Sequence, residues 1–243
     1  DVMIHAESKT VADMVAENPA RAAVFEKHGI DFCCQGQRPF GEVCKERGLS
    51  PDTLWDELNA SPPAADTTDW NAASLADLVE HIIARHHAYL RSAFPSVAEK
   101  LGKLIQVHTD EHGDMLLRLD KLVRGLEAEL TDHMMKEERI LFPLITQLEA
   151  AQQEGKPAPW APGGSIQHPI RMMEQEHDSA GNALKSLKAI TSNYAPPPGA
   201  CGTFEALYRQ LQELEADLYV HIHLENHVLF PRAASIEAEL QGQ

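Results

Sequence analysis

The stretch "HMMKEERILFP", His133 to Pro143, decides the fold. Around it the row Leu126, Leu130, His133, Glu137, Leu141, Leu144 advances in steps of three and four, so all six residues share one helical face. Such a face is apolar because it is buried, yet a histidine and a carboxylate interrupt this one without breaking its phase. A second stretch, "HIHLENHVLFP" from His221 to Pro231, repeats the arrangement within Leu214, Leu218, His221, Glu225, Leu229. In both, Glu follows His by four residues and Leu-Phe-Pro closes the segment.

Working outward, four long stripes of this period cover the second part of the chain. The first carries Val79, Ile83, Leu90, Phe94, Val97, Leu101 and Leu104, and the second runs from Leu119 to Leu148. The third runs through Ile170, Met173, Ala180, Leu184 and Leu187, and the last from Phe204 to Leu229. No alternating strand pattern competes. One apolar stripe per helix and four helices predict an all-α protein whose main body is a four-helix bundle. "AAQQEGKPAPWAPGG" and "NYAPPPGACG" connect the last three stripes and are too rich in Pro and Gly to be helical.

A smaller helical piece precedes the bundle. The expected boundaries are 1–60 for this N-terminal domain, 61–70 for a linker within "ASPPAADTTDW", and 71–240 for the bundle. Val11, Met14 and Val15 share a face. Asn18 with Pro19, and Ser50 with Pro51, are helix-start signals, and Gly29 is a stop. "SPDTLWDEL" is expected to bury Leu54, Trp55 and Leu58. Between the helices lies "DFCCQG", with Cys33 and Cys34 expected as exposed thiols at a turn, able to do redox chemistry or accept a metal. Cys44 falls on a helical face with Phe40 and Val43 and is expected in the core.

Composition narrows the function classes. The chain has 243 residues, 21 Lys and Arg against 37 Asp and Glu, and a net charge of −16. That field repels phosphate backbones and anionic membranes, which argues against nucleic acid and membrane partners. No apolar run reaches the length of about 20 residues needed for a membrane span, and the start shows no signal-peptide pattern. Four cysteines without a framework of spacings point to a reducing, cytoplasmic setting.

The polar gaps in the stripes converge on one chemistry. Besides His133–Glu137 and His221–Glu225, the third stripe holds His177, and in the first either His86 or His87 fits between Ile83 and Leu90. The order is therefore one-His helix, His-x3-Glu helix, then the same again, an internal repeat of two helical hairpins. A single histidine on an apolar face is ordinarily a hydrogen-bonded core residue. Two buried carboxylates are another matter, because each uncompensated charge costs several kcal/mol and must neutralise, pair or bind metal. No Lys or Arg shares these rows at the same level. Four His and two Glu divide as two His per metal with both carboxylates bridging, and such ligands suit iron, zinc, manganese or cobalt. Glu129, one turn before His133, and Glu176, beside His177, are candidates for outer carboxylates around the site. His223 and His227 lie off the His221 row and are expected to face solvent. His108 and His112 are read as a solvated helix end, His168 as a helix start, and His81 as off the inward row.

"DFCCQG", "HIIARHHAYLR", "HMMKEERILFP", "MEQEHDSAG" and "HIHLENHVLFP", in that order, resemble the repair-of-iron-centres (RIC) family of di-iron proteins. The resemblance spans nearly the whole chain and implies an ScdA-type N-terminal domain followed by a hemerythrin-like bundle. It selects His87 over His86 and implies the ligand set His87, His133, Glu137, His177, His221 and Glu225, holding two iron ions with an oxo or hydroxo bridge. Oxygen-carrying hemerythrins use one more His, so an oxygen-storage role is disfavoured. The implied function is a response to nitrosative and oxidative stress in which iron is supplied to damaged or apo iron–sulfur proteins, with Cys33 and Cys34 as redox or iron-transfer thiols. Nitric oxide is the implied small-molecule ligand, and its reduction to nitrous oxide is the catalytic alternative. No catalytic residue is assigned.

Overall fold

The computed structural model describes residues 7–60 and 68–242, so most of the expected linker at 61–70 lies outside the described residues. Four short helices come first: α1 (Val11–Glu17), α2 (Arg21–Lys27), α3 (Phe40–Arg47) and α4 (Pro51–Ala60). Then follow α5 (Leu75–His81), α6 (Ala88–Lys136), α7 (Phe142–Glu154), α8 (Gln167–Ile190), α9 (Gly202–Leu224) and α10 (Phe230–Gln241). Among the described residues the extended pairing is a single bridge, Thr10 to Pro39.

The chain forms two compact units. One comprises the chain up to Val79 together with Ile145–Pro159 and the segment from Tyr219 onward; the other comprises Glu80–Leu144 and Trp160–Leu218.

In the first unit the short helices are fixed by local chemistry. Thr10 and Asp13 form a capping box at α1, the Thr10 hydroxyl accepting from the Asp13 N–H at 3.0 Å. Gly29 (φ 65°) follows α2 and Gly48 (φ 65°) caps α3, in the left-handed conformation that a side chain would strain. The Ser50 hydroxyl accepts from the Thr53 N–H at 3.4 Å, with Pro51 as the first residue of α4. Helices of seven to ten residues are too short to persist alone. They hold because Val11, Met14, Phe25, Phe32, Phe40, Leu54 and Leu58 are buried. Trp55 is half-buried rather than buried, with the Arg21 guanidinium 5.5 Å from its ring centroid. The start of α5 is capped by Glu149, whose carboxylate accepts from the Leu75 and Ala76 N–H groups at 2.7 and 3.0 Å.

In the second unit the expected first and second helices are not separated by a loop. Helical hydrogen bonding runs through α6 from Ala88 to Lys136, and the two stripes meet at His108, whose φ −117° and ψ 20° are non-helical. The sequence there has no Pro or Gly to announce a loop, and one residue in a different conformation makes the kink. Leu90, Phe94, Val97, Leu101, Leu104, Leu116, Leu119, Val123, Leu126 and Leu130 are buried along α6. Leu184 and Leu187 on α8 and Leu207, Leu211, Leu214 and Leu218 on α9 are buried as well.

Candidate metal centre

Three of the four helical rows that carry candidate ligands are wound one residue wider than an α-helix at the ligand. π turns occupy Ile82–His87, Glu137–Leu141 and Glu225–Leu229. His87 ends the first; Glu137 and Glu225 begin the other two. The cause of the latter pair is legible in Leu-Phe-Pro. Pro143 and Pro231 have no N–H for the carbonyl four residues back, and their rings crowd it, so the preceding turn widens. Single π turns of this kind are frequent at functional sites because they re-aim a side chain without ending the helix.

In the unit built from Glu80–Leu144 and Trp160–Leu218, four candidate ligands are buried together: His87, His133, Glu137 and His177. Glu137 is the centre of the group. Its Oε2 lies 3.3 Å from His87 Nε2 and its Oε1 lies 3.3 Å from His133 Nε2, so one carboxylate faces two imidazoles with separate oxygens. His133 Nε2 and His177 Nε2 stand 3.0 Å apart. Two nitrogens at that separation, each about 2.1 Å from a common ion, subtend an angle of about 90°, the cis angle of six-fold coordination. The donor set therefore fits a metal with mixed imidazole and carboxylate ligands.

The far nitrogens are held by carboxylates. His87 Nδ1 pairs with Glu138 at 2.7 Å, and His133 Nδ1 pairs with Glu176 at 2.8 Å. A carboxylate on Nδ1 fixes the tautomer, turns Nε2 inward as a lone pair and raises its basicity. Arg91 donates to Glu138 at 2.7 Å, and Lys136 pairs with Glu176 and, at 3.2 Å, with Asp132. Burial pushes Glu138 up, but the hydrogen bonds from His87 and Arg91 outweigh it and hold the carboxyl below its usual range. Burial likewise pulls Lys136 down, and Glu176 and Asp132 more than restore its charge. Glu129 accepts from the Ser179 hydroxyl at 3.3 Å. With Asp132, His133, Lys136, Glu176 and Ser179 it lines a cavity of about 150 Å³.

His86 and His87, equivalent by periodicity, part company in space. His87 faces Glu137, whereas the buried His86 places Nδ1 3.1 Å from Asp217. Glu138 and Asp217 had no signal in the periodicity: each lies beside a helical face rather than on it. The other histidine pair also departs from expectation. His108 Nε2 is 3.4 Å from the Cys201 thiol, so the kink in α6 has a side-chain partner. His168 is the second residue of α8, at a helix start.

In the other unit, His221 Nε2 and Glu225 Oε1 are 2.9 Å apart and both residues are fully buried. His223 and His227 correct the expectation of solvent-facing rings. His223 is 2% exposed, and its Nδ1 is 3.3 Å from the Phe32 carbonyl. His227 Nε2 is 2.6 Å from the Cys33 carbonyl, Asn226 donates to the same oxygen at 3.4 Å, and Gln37 is 3.0 Å from His227 Nδ1. Burial pushes the His223 imidazole down to about 3, with the charge of His227 adding to the effect. Burial lowers His227 as well. Off-row positions of that helical segment meet the loop between α2 and α3.

The same contacts correct the expected exposure of the thiols. Cys33 is 1% exposed and Cys34 half-buried. Their sulfurs are 3.6 Å apart, and Asp31 Oδ1 is 3.4 Å from Cys33 Sγ. The hydrogen bond with Cys34, then burial, push the Cys33 thiol well above its usual range. Cys44 is buried, as its helical face predicted.

Two known families match successive parts of the chain. The Hemerythrin HHE cation binding domain matches residues 78–233, and ScdA_N, a domain of unknown function (DUF542), matches residues 7–61. The chain is 40% identical over 219 residues to a protein of Cronobacter sakazakii named iron-sulfur cluster repair protein YtfE, covering 90% of this chain and 93% of that one. It is 37% identical over 227 residues to proteins of the same name from Escherichia coli and Escherichia fergusonii, covering 93% of this chain and 97% of theirs.

Proposed function

The chain belongs to the hemerythrin HHE cation-binding family and to the iron–sulfur cluster repair proteins that join such a domain to ScdA_N, and from that membership we propose that it is a non-haem di-iron protein supplying iron to damaged iron–sulfur clusters. The observation that carries this reading is Glu137, a fully buried carboxylate with one oxygen 3.3 Å from His87 and the other 3.3 Å from His133. A carboxylate so placed serves two metal positions, and by the internal repeat Glu225 would be its counterpart. The proposed ligands are His87, His133, Glu137, His177, His221 and Glu225.

When bound, two iron ions with an oxo or hydroxo bridge would supply a ferric/ferrous couple and a store of releasable iron. The protein's own residues do the rest. Glu138 and Glu176 keep His87 and His133 aimed inward, and Arg91 and Lys136 in turn hold those two carboxylates in place. Glu129, Asp132 and Glu176 give the cavity against His133 an acidic lining suited to an outgoing cation. Cys33 and Cys34 would receive that iron and pass it to a damaged or apo iron–sulfur protein. Six protein side chains on two ions leave coordination positions for nitric oxide, whose binding, or reduction to nitrous oxide, is the second reading. None of the four cysteines is in a disulfide, which suits a reducing cytoplasm; among the described residues no helix is long and apolar enough to cross a membrane.

The test is transfer. Protein loaded with labelled iron, reduced and mixed with an apo-cluster enzyme should yield labelled, active enzyme. Recovery of unlabelled, inactive enzyme while the label stays with the donor would overturn the donor role.

A further inference from the structure

The loop "DFCCQG" carries more than two thiols. Asp31, Cys33 and Cys34 bring three ligand atoms within 4.8 Å of one another. The distances are those of a coordination polyhedron. Two sulfurs 3.6 Å apart, each about 2.3 Å from a common ion, subtend about 100°. A carboxylate oxygen 3.4 Å from Cys33 Sγ, at about 2.0 Å from the same ion, again gives about 100°. Both are close to the tetrahedral angle.

The loop is built to hold that shape. Asp31 Oδ1 accepts from the N–H groups of Cys33, Cys34 and Gln35 at 3.2, 2.9 and 3.3 Å, which aims the carboxylate at the thiols. On the opposite side His223, Asn226 and His227 hold the Phe32 and Cys33 carbonyls. Gly36 closes the loop where no Cβ fits: one would lie 2.2 Å from the Phe32 carbonyl oxygen and 2.9 Å from His227 Nε2.

We propose that Asp31, Cys33 and Cys34 form a mononuclear site for one thiophilic divalent cation in tetrahedral coordination, separate from the histidine–carboxylate centre. Two sulfurs and one oxygen favour zinc-like or ferrous ions over magnesium and calcium. Three protein ligands leave a fourth corner for water or an incoming ligand, the pattern of an exchange site and not of a closed structural one. On binding, two metal–sulfur bonds form, two S–H bonds break, and both protons go to the buffer; no oxidation state changes. This deepens the transfer role given to the thiols above and rests on that reading for its use, while the site is testable apart from it.

The experiment titrates the metal-free, reduced full chain with cobalt(II), without oxygen. Cobalt on thiolate sulfur gives a near-ultraviolet charge-transfer band and intense tetrahedral visible bands; cobalt on histidine and carboxylate gives no sulfur band. One equivalent should develop the sulfur band. Cys34→Ala should abolish it with the helical circular dichroism intact, since Cys34 is only half-buried. Asp31→Asn, which keeps the acceptor for the three N–H groups, should weaken binding at least tenfold. Cys44→Ala and Cys201→Ala should leave the band unchanged. Uptake of two equivalents with no sulfur band would overturn this site and spare the dinuclear centre. A sulfur band without two further equivalents would do the reverse. Unchanged affinity in Asp31→Asn, or loss of the band in Cys201→Ala, would also overturn the assignment.

Discussion

Replacing Glu137 by Gln should move the stability of the metal-free and the metal-loaded protein in opposite directions. Glu137 is fully buried, and its neighbours at 3.3 Å are His87 and His133, which themselves carry a charge only when protonated. Without metal, the fold bears most of the cost of a desolvated carboxylate, and a neutral isostere should relieve about 1–3 kcal/mol of it. For a domain of this size each kcal/mol moves Tm by about 2–4 °C, so the apo variant should melt about 2–12 °C higher than the apo wild type. With metal the sign reverses. Losing the proposed shared ligand should weaken binding at least about a hundredfold, or about 2.7 kcal/mol, and linkage transfers that loss to the loaded fold. Scanning calorimetry of chelator-treated and anaerobically iron-loaded samples, with elemental analysis of each, reads both signs. An apo variant that melts lower than apo wild type by as much as the loaded one would refute the reasoning, because Glu137 would then be an ordinary structural hydrogen-bonding group.

Glu138→Gln should lower metal affinity by about tenfold or more while leaving apo stability within about 1 kcal/mol, since it acts by orienting His87; competition with a chelator checks it. Cys44 supplies a pH prediction: burial, with Glu7 adding, pushes its thiol up to about 11 from 9.0. A raised folded pKa means stability fully present below pH 9 and lost as pH rises through 11, so the stability gap between wild type and Cys44→Ala should narrow by about 2–3 kcal/mol over that window in urea titrations.

The parts of this molecule that obey a period could be read from its sequence. Each of the four stripes became helix, and His133, Glu137, His177, His221 and Glu225 lie buried where the spacing put them. What escaped was whatever depends on a second neighbour. A helical face has one phase, and residues beside it are assigned to solvent by default. His223 and His227 broke that default because the loop between α2 and α3 lies against them, through the Phe32 and Cys33 carbonyls. Glu138 and Asp217 escaped for the same reason, as partners of His87 and His86 across long sequence separations. The kink at His108 had no Pro or Gly to mark it, and the choice between adjacent His86 and His87 lay below the resolution of a pattern in steps of three and four.

The π turns bear on the molecule's history. A π turn is a helix carrying one residue too many, and both His-x3-Glu segments carry theirs at the same offset, from the Glu to the Leu before Phe-Pro. Two independent insertions at matching places are a less economical account than one. A hairpin doubled with the wide turn already in place would leave the same offset in both halves, and each half would then keep its own Leu-Phe-Pro to hold that turn open.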